Sequence, residues 1–253
     1  MKNIAQQFSN ASKQYNTLTD IQLNIACQLA ENFSQCCAYE TVLDIGTGTG
    51  RIVDFLNKRL SSSMIIGIDI AEGMLEEARL LKNKAYWIEA DAHRLPFKDN
   101  IFDGIISGST YQWVENLPQA FCEVQRCLIP DGIFMMAMFG EKTFEEMFVV
   151  LSEATDDVRS IYTRLPMVRE IHMALDQSGL RDVGVHVENK IVRFDDLWTL
   201  LRWIKNIGAN GLNPSMVMGK NFLNRANEIY QSLFPLDGGI QVSFEIVWVD
   251  AKK

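Results

Sequence analysis

The sequence predicts an α/β fold with a mostly parallel, seven-stranded sheet and a helical lid inserted before the last strand. Two observations lead to this prediction: short apolar runs alternate with amphipathic stretches, and a glycine-rich turn follows the first apolar run. Continuous apolar runs are typical of parallel strands that helices cover on both faces. A chain of 253 residues, 47% of them hydrophobic, is long enough for a single domain, 1–253.

The seven predicted strands are the short apolar runs of the chain. They are Thr41–Ile45, Met64–Ile70, Ala85–Glu89, Phe102–Ser107, Ile133–Phe139, Val183–Val192 and Ile240–Val249. The turn Pro130-Asp131-Gly132 is expected to precede the fifth of them. Helical periodicity fills most of the intervals. The predicted helices are Arg51–Leu60, Ala71–Leu81, Leu117–Leu128, Glu141–Thr155, Met167–Gly179, Asp195–Ile207 and Ser215–Leu233.

This order divides the chain into four regions. A largely helical N-terminal cover, 1–37, precedes a core at 40–192, and a helical lid at 194–236 precedes a final strand at 240–250. Ligands of open parallel sheets bind outside the carboxyl ends of the strands. We therefore expect the cover and the lid to close over that edge of the sheet.

Composition and charge exclude several classes of protein. The five cysteines form no C-x-x-C pair and the three histidines lie far apart, so we expect no zinc site, no disulfide framework and no metal. The net charge of -8 argues against nonspecific binding to nucleic acid. No apolar run approaches the roughly 18 residues of a membrane span. We expect a cytoplasmic monomer without a nucleic-acid or membrane partner.

The charge is unevenly distributed along the chain. Residues 181–225 hold seven basic residues against four acidic ones, although the protein as a whole is acidic. This excess is either a solvated helical face or a docking surface for an acidic partner.

The central motif is the glycine loop at 46–50, which follows a predicted strand and precedes a predicted helix. Its spacing is G-x-G-x-G, and Arg51 stands where a dinucleotide-binding loop has its third glycine. Asp44, two residues before the loop, would repel a pyrophosphate but suits a cationic ligand. Asp69 ends the second apolar run and can bind both hydroxyls of a ribose. These features together indicate S-adenosylmethionine (SAM), which carries an ammonium and a sulfonium group.

Two further segments complete the predicted cofactor site. Asp91 and Ala92 follow the third strand, where an acid can accept a hydrogen bond from the adenine amino group. Met74 either packs on adenine or belongs to the core. The predicted cofactor-binding residues are Asp44, Gly46, Thr47, Gly48, Gly50, Asp69, Ile70, Met74, Asp91, Ala92 and Ser107.

Residues 40–140 resemble the Rossmann-like class I methyltransferases, and three segments outside the glycine loop resemble a narrower family. These segments are Phe8-Ser9-x-Ala11-Ser12-x-x-Tyr15-Asn16 with Gln22, then 109–117 around Gln112-Trp113, and Phe194-Asp195-Asp196 with 201–211. They are similar to the malonyl-acyl-carrier-protein O-methyltransferases of biotin synthesis. The resemblance implies that SAM methylates the free carboxylate of malonyl-acyl carrier protein, leaving S-adenosylhomocysteine (SAH).

The implied reaction suggests roles for five residues near the acceptor. A carboxylate is ionised at neutral pH, so we expect no general base. We predict that Arg202 contacts one carboxylate oxygen, or alternatively pairs with an acid of the lid, and that Lys205 faces either substrate or carrier protein. Tyr15 either closes the SAM pocket or packs between helices. Gln112 and Trp113 are expected beside the methyl acceptor.

Three other functions remain open at this stage. The chain also resembles SAM methyltransferases that act on another small carboxylate or a quinone-type acceptor, and SAM-binding assembly factors of respiratory complexes. A NAD-dependent enzyme is disfavoured by Arg51 and Asp44.

Overall fold

The computed structural model describes residues 2–36, 38–154, 165–209 and 219–253. The helices are α1 Lys2–Leu18, α2 Asp20–Cys36, α3 Arg51–Arg59, α4 Glu72–Arg79, α5 Leu117–Cys127, α6 Glu145–Ala154, α7 Val168–Ser178, α8 Leu197–Asn206 and α9 Lys220–Leu233. The strands are β1 Thr41–Ile45, β2 Met64–Asp69, β3 Ala85–Glu89, β4 Phe102–Gly108, β5 Leu128–Phe139, β6 Arg181–Phe194, β7 Pro235–Leu236 and β8 Gly239–Lys252.

The strands form one sheet in the order β3-β2-β1-β4-β5-β8-β6, with the two-residue β7 paired to β8. The pairs among β1 to β5 are parallel, whereas β8 runs antiparallel to both β5 and β6. The predicted fold class is therefore confirmed. The strand order reverses between β1 and β4, which opens a crevice at the carboxyl ends of these two strands.

Helices cover both faces of the sheet, and alternate residues of the central strands face opposite cores. On β4, Ile106 belongs to the core under α2, α3, α6, α8 and α9, whereas Ile105 belongs to the core under α5 and α7. Both side chains are fully buried. This two-sided burial explains why the strands appear in the sequence as continuous apolar runs.

Several predicted boundaries were wrong, for local reasons. β5 begins at Leu128 because the predicted turn at Pro130-Asp131-Gly132 is an irregularity inside the strand, where Asp131 has a φ of 62°. β6 and β8 are 14 residues each, longer than expected, because they pair along almost their whole length. α6 begins at Glu145, after Phe144 with a φ of 66°. The predicted first turn of the last helix, 215–218, lies outside the described residues.

The N-terminal helix α1 contacts both the core and the lid helix α8. The indole Nε1 of Trp203 on α8 donates a hydrogen bond to the carbonyl of Leu18 at 2.6 Å. On the opposite side, the hydroxyl of Ser9 accepts the backbone N–H of Gly73 at the start of α4. Both ends of the carboxyl edge of the sheet are thus bridged by α1. In the described part of the chain, no helix is long and apolar enough to cross a membrane.

Candidate cofactor and acceptor site

A cleft of about 780 Å³ lies at the carboxyl ends of β1 to β4, and we call it the main cleft. It is lined by Ile4, Phe8, Tyr15, Ile45, Gly46, Gly48, Ile68, Asp69, Ile70, Met74, Ala90, Asp91, Ala92, His93, Gly108, Ser109, Thr110, Trp113 and Val114. The lining comes from four strand ends, the 3-10 turn Tyr111–Trp113 and helix α1. The reversal of strand order therefore brings together residues that are distant in the sequence.

The glycine loop presents bare backbone to this cleft. Gly46 and Gly48 have φ values of 69° and 55°, a region that favours glycine. A Cβ on Gly46 would overlap the side chain of Thr110. Gly50 does not line the cleft; it caps α3 with a φ of 82° and lies against Trp87. Only the first two glycines of the motif therefore shape the cleft.

Asp69 connects the glycine loop to the second strand. Its Oδ2 accepts the N–H of Gly48 at 2.8 Å, and its Oδ1 accepts the N–H of Ala71 at 2.8 Å. Burial raises the pKa of this carboxyl, although the backbone hydrogen bonds oppose the change. The structure thus places Asp69 in the wall of the cleft, where its sequence position predicted it.

Asp44 and Ser107 lie beneath the loop rather than in the wall of the cleft. Asp44 is fully buried, and its Oδ2 accepts the hydroxyl of Thr47 at 2.7 Å, while Oδ1 has no partner in the described residues. Desolvation raises the pKa of Asp44 to about 7. Ser107 is also fully buried and donates to the carbonyl of Ile45 at 2.7 Å. Direct contact between either side chain and a ligand in the cleft is therefore not supported.

Asp91 and His93 form the far end of the cleft, together with Met74 and Ala92. The Oδ1 of Asp91 lies 2.8 Å from Nδ1 of His93 and also accepts the backbone N–H of His93 at 2.9 Å. The Nε2 of His93 lies 3.2 Å from the backbone N of Asn116, which can only donate. The proton of a neutral His93 must therefore sit on Nδ1 and point at Asp91.

The role of His93 could not be predicted from the sequence, because it depends on packing between two loops. The carbonyl of His93 also accepts the side-chain amide of Gln119 on α5 at 3.0 Å. His93 thus joins the loop after β3 to the segment that carries Trp113.

A second cavity of about 460 Å³ adjoins the main cleft. It is lined by Phe8, Tyr15, Gln22, Ser109, Gln112, Trp113, Phe139, Thr143, Phe144, Leu165, Trp203, Ile207, Ala209 and Phe244. The residues shared with the main cleft are Phe8, Tyr15, Ser109 and Trp113. Molecules bound in the main cleft and in the second cavity would therefore meet between these four side chains. We call this region the junction.

Tyr15 stands at the junction and is held by Arg51. The guanidinium of Arg51 lies 5.6 Å from the centre of the Tyr15 ring, and it donates to the carbonyls of Asn16 and Thr19 at 2.8 and 3.0 Å. Desolvation raises the pKa of Tyr15 to about 12, although the Arg51 charge lowers it. The Tyr15 phenol therefore keeps its proton at neutral pH and can donate a hydrogen bond. Arg51, which interrupts the glycine motif, thus anchors the α1–α2 corner.

Ser109 turns the chain at the junction in an uncommon backbone conformation. Its φ is 55°, and its N–H donates to the carbonyl of Ala137 at 2.7 Å. Non-glycine residues with positive φ are uncommon and are found at ligand sites. No local signal in the sequence predicts this turn, and Ser109, rather than the predicted Ser107, lines the main cleft.

Gln112 and Trp113 line the second cavity, whereas Arg202 and Lys205 do not. Arg202 and Lys205 are exposed on the outer face of α8, and neither lines the main cleft or the second cavity. The inner face of the same helix contributes Trp203 and Ile207 to the second cavity. Because the face of α8 that carries Arg202 is outward, a contact between Arg202 and a carboxylate bound in the cavity is not supported.

No metal site is found in the described ranges, where no group of three or more His, Cys, Asp and Glu side chains could hold an ion. The walls of the second cavity include no lysine or arginine among these residues. The chemistry of the site thus depends on the acids beside the main cleft and on neutral donors at the junction.

Comparisons with known proteins agree with this architecture. Residues 43–136 match the family described as a methyltransferase domain. Among solved structures, the YcgJ protein of Bacillus subtilis superposes with a TM-score of 0.65 at 21% identity, covering 90% of this chain and 97% of that one. Phosphoethanolamine N-methyltransferase 2 of Haemonchus contortus, solved with SAM, gives a TM-score of 0.57 at 18% identity and covers 91% and 52%. At these identities the likeness shows the fold alone.

Two curated relatives are more similar in sequence. The chain is 30% identical over 269 residues to the biotin biosynthesis bifunctional protein BioHC of Teredinibacter turnerae, across 100% of this chain but only 47% of that protein. It is 33% identical over 224 residues to the malonyl-[acyl-carrier protein] O-methyltransferase of Geobacter sulfurreducens, across 84% of this chain and 83% of that protein. The chain therefore belongs to the malonyl-[acyl-carrier protein] O-methyltransferase family of SAM-dependent methyltransferases.

Proposed function

We propose that this enzyme transfers the methyl group of SAM to the free carboxylate of a malonyl group carried on acyl carrier protein, as a step of biotin synthesis. The observation that carries the proposal is the junction. It connects a cleft with acidic residues in its wall to an aromatic cavity that is lined in part by α8 and the N-terminal helix. The names of the relatives support the same acceptor.

The main cleft fits SAM in one direction. Asp91, Ala92 and Met74 at its far end suit the adenine, and Asp69 with Ile70 suits the ribose. The methionine part then lies over Gly46 and Gly48, where backbone can approach closely. A smaller pocket beside the loop, which we call the loop pocket, is lined by Gln22, Thr47 and Arg51 among others and suits the amino-acid end. SAM supplies an electrophilic methyl group next to a sulfonium.

The acceptor carboxylate belongs at the junction, on the side of the second cavity. It is already ionised at neutral pH, so its oxygen can form the new C–O bond as the C–S bond breaks, and no proton moves. Catalysis then depends on holding the oxygen in line with the sulfur and on excluding water. The phenol of Tyr15 and the hydroxyl of Ser109 are neutral groups that can hold the carboxylate there.

The acidic carrier protein must dock near the second cavity, although no basic residue lines this cavity in the described part of the chain. Three of the seven basic residues at 181–225 are paired with acids: Arg193 with Asp195, Lys190 with Glu188, and Arg181 with Asp131. Arg202 and Lys205 lie three residues apart on the exposed face of α8, directly outside the cavity wall. We infer that these two cations, rather than the whole stretch, face the carrier.

The proposed function is tested by a methyl-transfer assay. The protein is incubated with SAM labelled in its methyl group and with malonyl-acyl carrier protein. We expect label on the malonyl species and none on acetyl-acyl carrier protein, which lacks the free carboxylate. Absence of transfer to malonyl-acyl carrier protein, with SAM binding intact, would remove the proposed acceptor.

Reversal of the α8 charges separates docking from catalysis. In the variant R202E/K205E, we expect KM for malonyl-acyl carrier protein to rise about tenfold, because opposite charges mainly guide association. The activity with the malonyl thioester of N-acetylcysteamine, which has no carrier protein, should stay unchanged. The control K82E/K98E reverses two exposed lysines elsewhere on the surface. A comparable loss with the small thioester would instead restore Arg202 as a substrate contact.

The buried carboxyl of Asp44 predicts that SAM binding depends on pH. Its pKa of about 7 is raised above the usual value, so its contribution to stability is present below about pH 4 and is lost as the pH rises through 7. Nearby positive charge on SAM favours the ionised carboxylate. We therefore expect SAM affinity to increase about tenfold from roughly pH 5.5 to pH 8, since each pKa unit corresponds to tenfold.

Calorimetry at several pH values measures this dependence and the proton released on binding. In D44N the dependence should be flatter than in the wild type, and the unliganded variant should be more stable above pH 7. D54N, which removes a half-exposed carboxylate on α3 that pairs with Lys58, serves as the control. Equal slopes for wild type and D44N would contradict the assignment to Asp44.

His93 offers two conservative replacements that each keep one of its hydrogen bonds. The amide nitrogen of Asn can replace Nδ1 and still donate to Asp91, whereas the longer Gln reaches the Nε2 position and can accept from Asn116. If His93 orients Asp91 for adenine, H93N should bind SAH within about threefold of wild type, and H93Q about tenfold more weakly. Titration calorimetry measures both constants. The reverse order would show that the contact to Asn116 matters instead.

A further inference from the structure

We propose that the enzyme recognises the arm that carries the malonyl group through an amide N–H of that arm, and that the side-chain oxygen of Gln112 accepts it. The inference rests on the proposed function and names a contact for a part of the substrate remote from the reacting carboxylate.

The orientation of the Gln112 amide is fixed by its surroundings. Its Nε2 donates to the carbonyl of Ser109 at 2.8 Å, and a flipped amide would place two oxygens against each other. Oε1 must therefore point away from Ser109. Gln112 is 8% exposed, and Oε1 has no hydrogen-bond partner in the described part of the chain. A buried acceptor without a donor is unfavourable, which suggests that a ligand supplies the donor.

Two of the neighbouring protein donors, on Trp203 and Thr143, are already engaged. The indole N–H of Trp203 is bonded to the carbonyl of Leu18. The hydroxyl of Thr143 donates to the carbonyl of Glu245 and accepts the N–H of the same residue. The other side chains around the second cavity are mostly aromatic or aliphatic. The donor for Gln112 is therefore expected from the molecule that fills the cavity.

The malonyl group itself cannot supply this donor. Its carboxylate and thioester carbonyl only accept hydrogen bonds. The phosphopantetheine arm of a carrier protein, however, has an amide N–H two carbons beyond the thioester sulfur. Coenzyme A and N-acetylcysteamine present the same amide, so the chemistry is shared by all three carriers.

Gln112 also lies where such an arm would pass. An outer groove runs between α5, α7 and the start of α1, and Gln112, Trp113 and Leu165 line both this groove and the second cavity. An arm that runs from the junction into this groove therefore passes Gln112.

A matched pair of substrates tests the inference. Malonyl S-(2-acetamidoethyl) thioester has the amide N–H, and malonyl S-(2-acetoxyethyl) thioester has an ester oxygen in its place. We expect wild-type kcat/KM to be about tenfold higher for the amide, because the ester leaves Gln112 unpaired. In Q112L, an apolar replacement of similar size, the ratio should fall to about one. Because the two substrates are compared in the same variant, a general loss of activity leaves the ratio of their kcat/KM values unchanged.

Gln22 provides a matched control. Its Oε1 is also buried without a partner in the described residues. Gln22 lines the second cavity and the loop pocket, but it does not line the outer groove through which the arm would pass. Q22L should therefore keep the wild-type ratio, even if its affinity for SAM decreases.

Three outcomes would overturn the inference, and each differs from failure of the proposed function. A wild-type ratio near one, or an unchanged ratio in Q112L, would show that Gln112 does not read the amide. Methylation of malonyl-acyl carrier protein but of neither small thioester would place recognition in the carrier protein. If malonyl-acyl carrier protein is not methylated either, the proposed function fails and the inference fails with it.

Discussion

The site depends on two hydrogen bonds that a single half-buried carboxylate accepts from the backbone. Asp69 at the end of β2 receives the N–H groups of Gly48 and Ala71, and so fixes the glycine loop against the start of α4. The loop can follow this path because Gly46 and Gly48 have positive φ, and because Thr110 occupies the space that a Cβ on Gly46 would need. The cofactor site and the turn after β4 are therefore formed by the same set of contacts.

The N-terminal helix completes this arrangement because it is attached at several points to different parts of the domain. Arg51, at the start of α3, donates to the carbonyls of Asn16 and Thr19, and Thr49 donates to the side chain of Asn16. Trp203 on α8 donates a hydrogen bond to the carbonyl of Leu18 in the same corner. A residue that interrupts the glycine motif in the sequence thus positions the segment that carries Tyr15. The glycine loop, the N-terminal cover and the lid are coupled through one short corner of the chain.

The sequence was most informative where function and local conformation coincide. The strands, the glycine loop, Asp69 and Asp91 were predictable, because apolar runs, positive φ and strand ends have local signals. The positions of the Ser107, Asp44 and Arg202 side chains were not predictable. Ser107 is fully buried and donates to the carbonyl of Ile45, and Asp44 lies beneath the loop that it precedes. Arg202 faces outward because Trp203 and Ile207 occupy the inner face of α8.

The outward position of Arg202 changes how the charge of the acceptor carboxylate can be stabilised. A guanidinium against the carboxylate would compensate its desolvation, but it would also withdraw charge from the attacking oxygen. The second cavity has instead a protonated phenol at Tyr15 and a hydroxyl at Ser109, within walls that are largely aromatic. Neutral donors compensate part of the desolvation and leave more charge on the oxygen. In the proposed arrangement, the attraction that remains comes from the sulfonium of SAM, which would face the carboxylate across the junction.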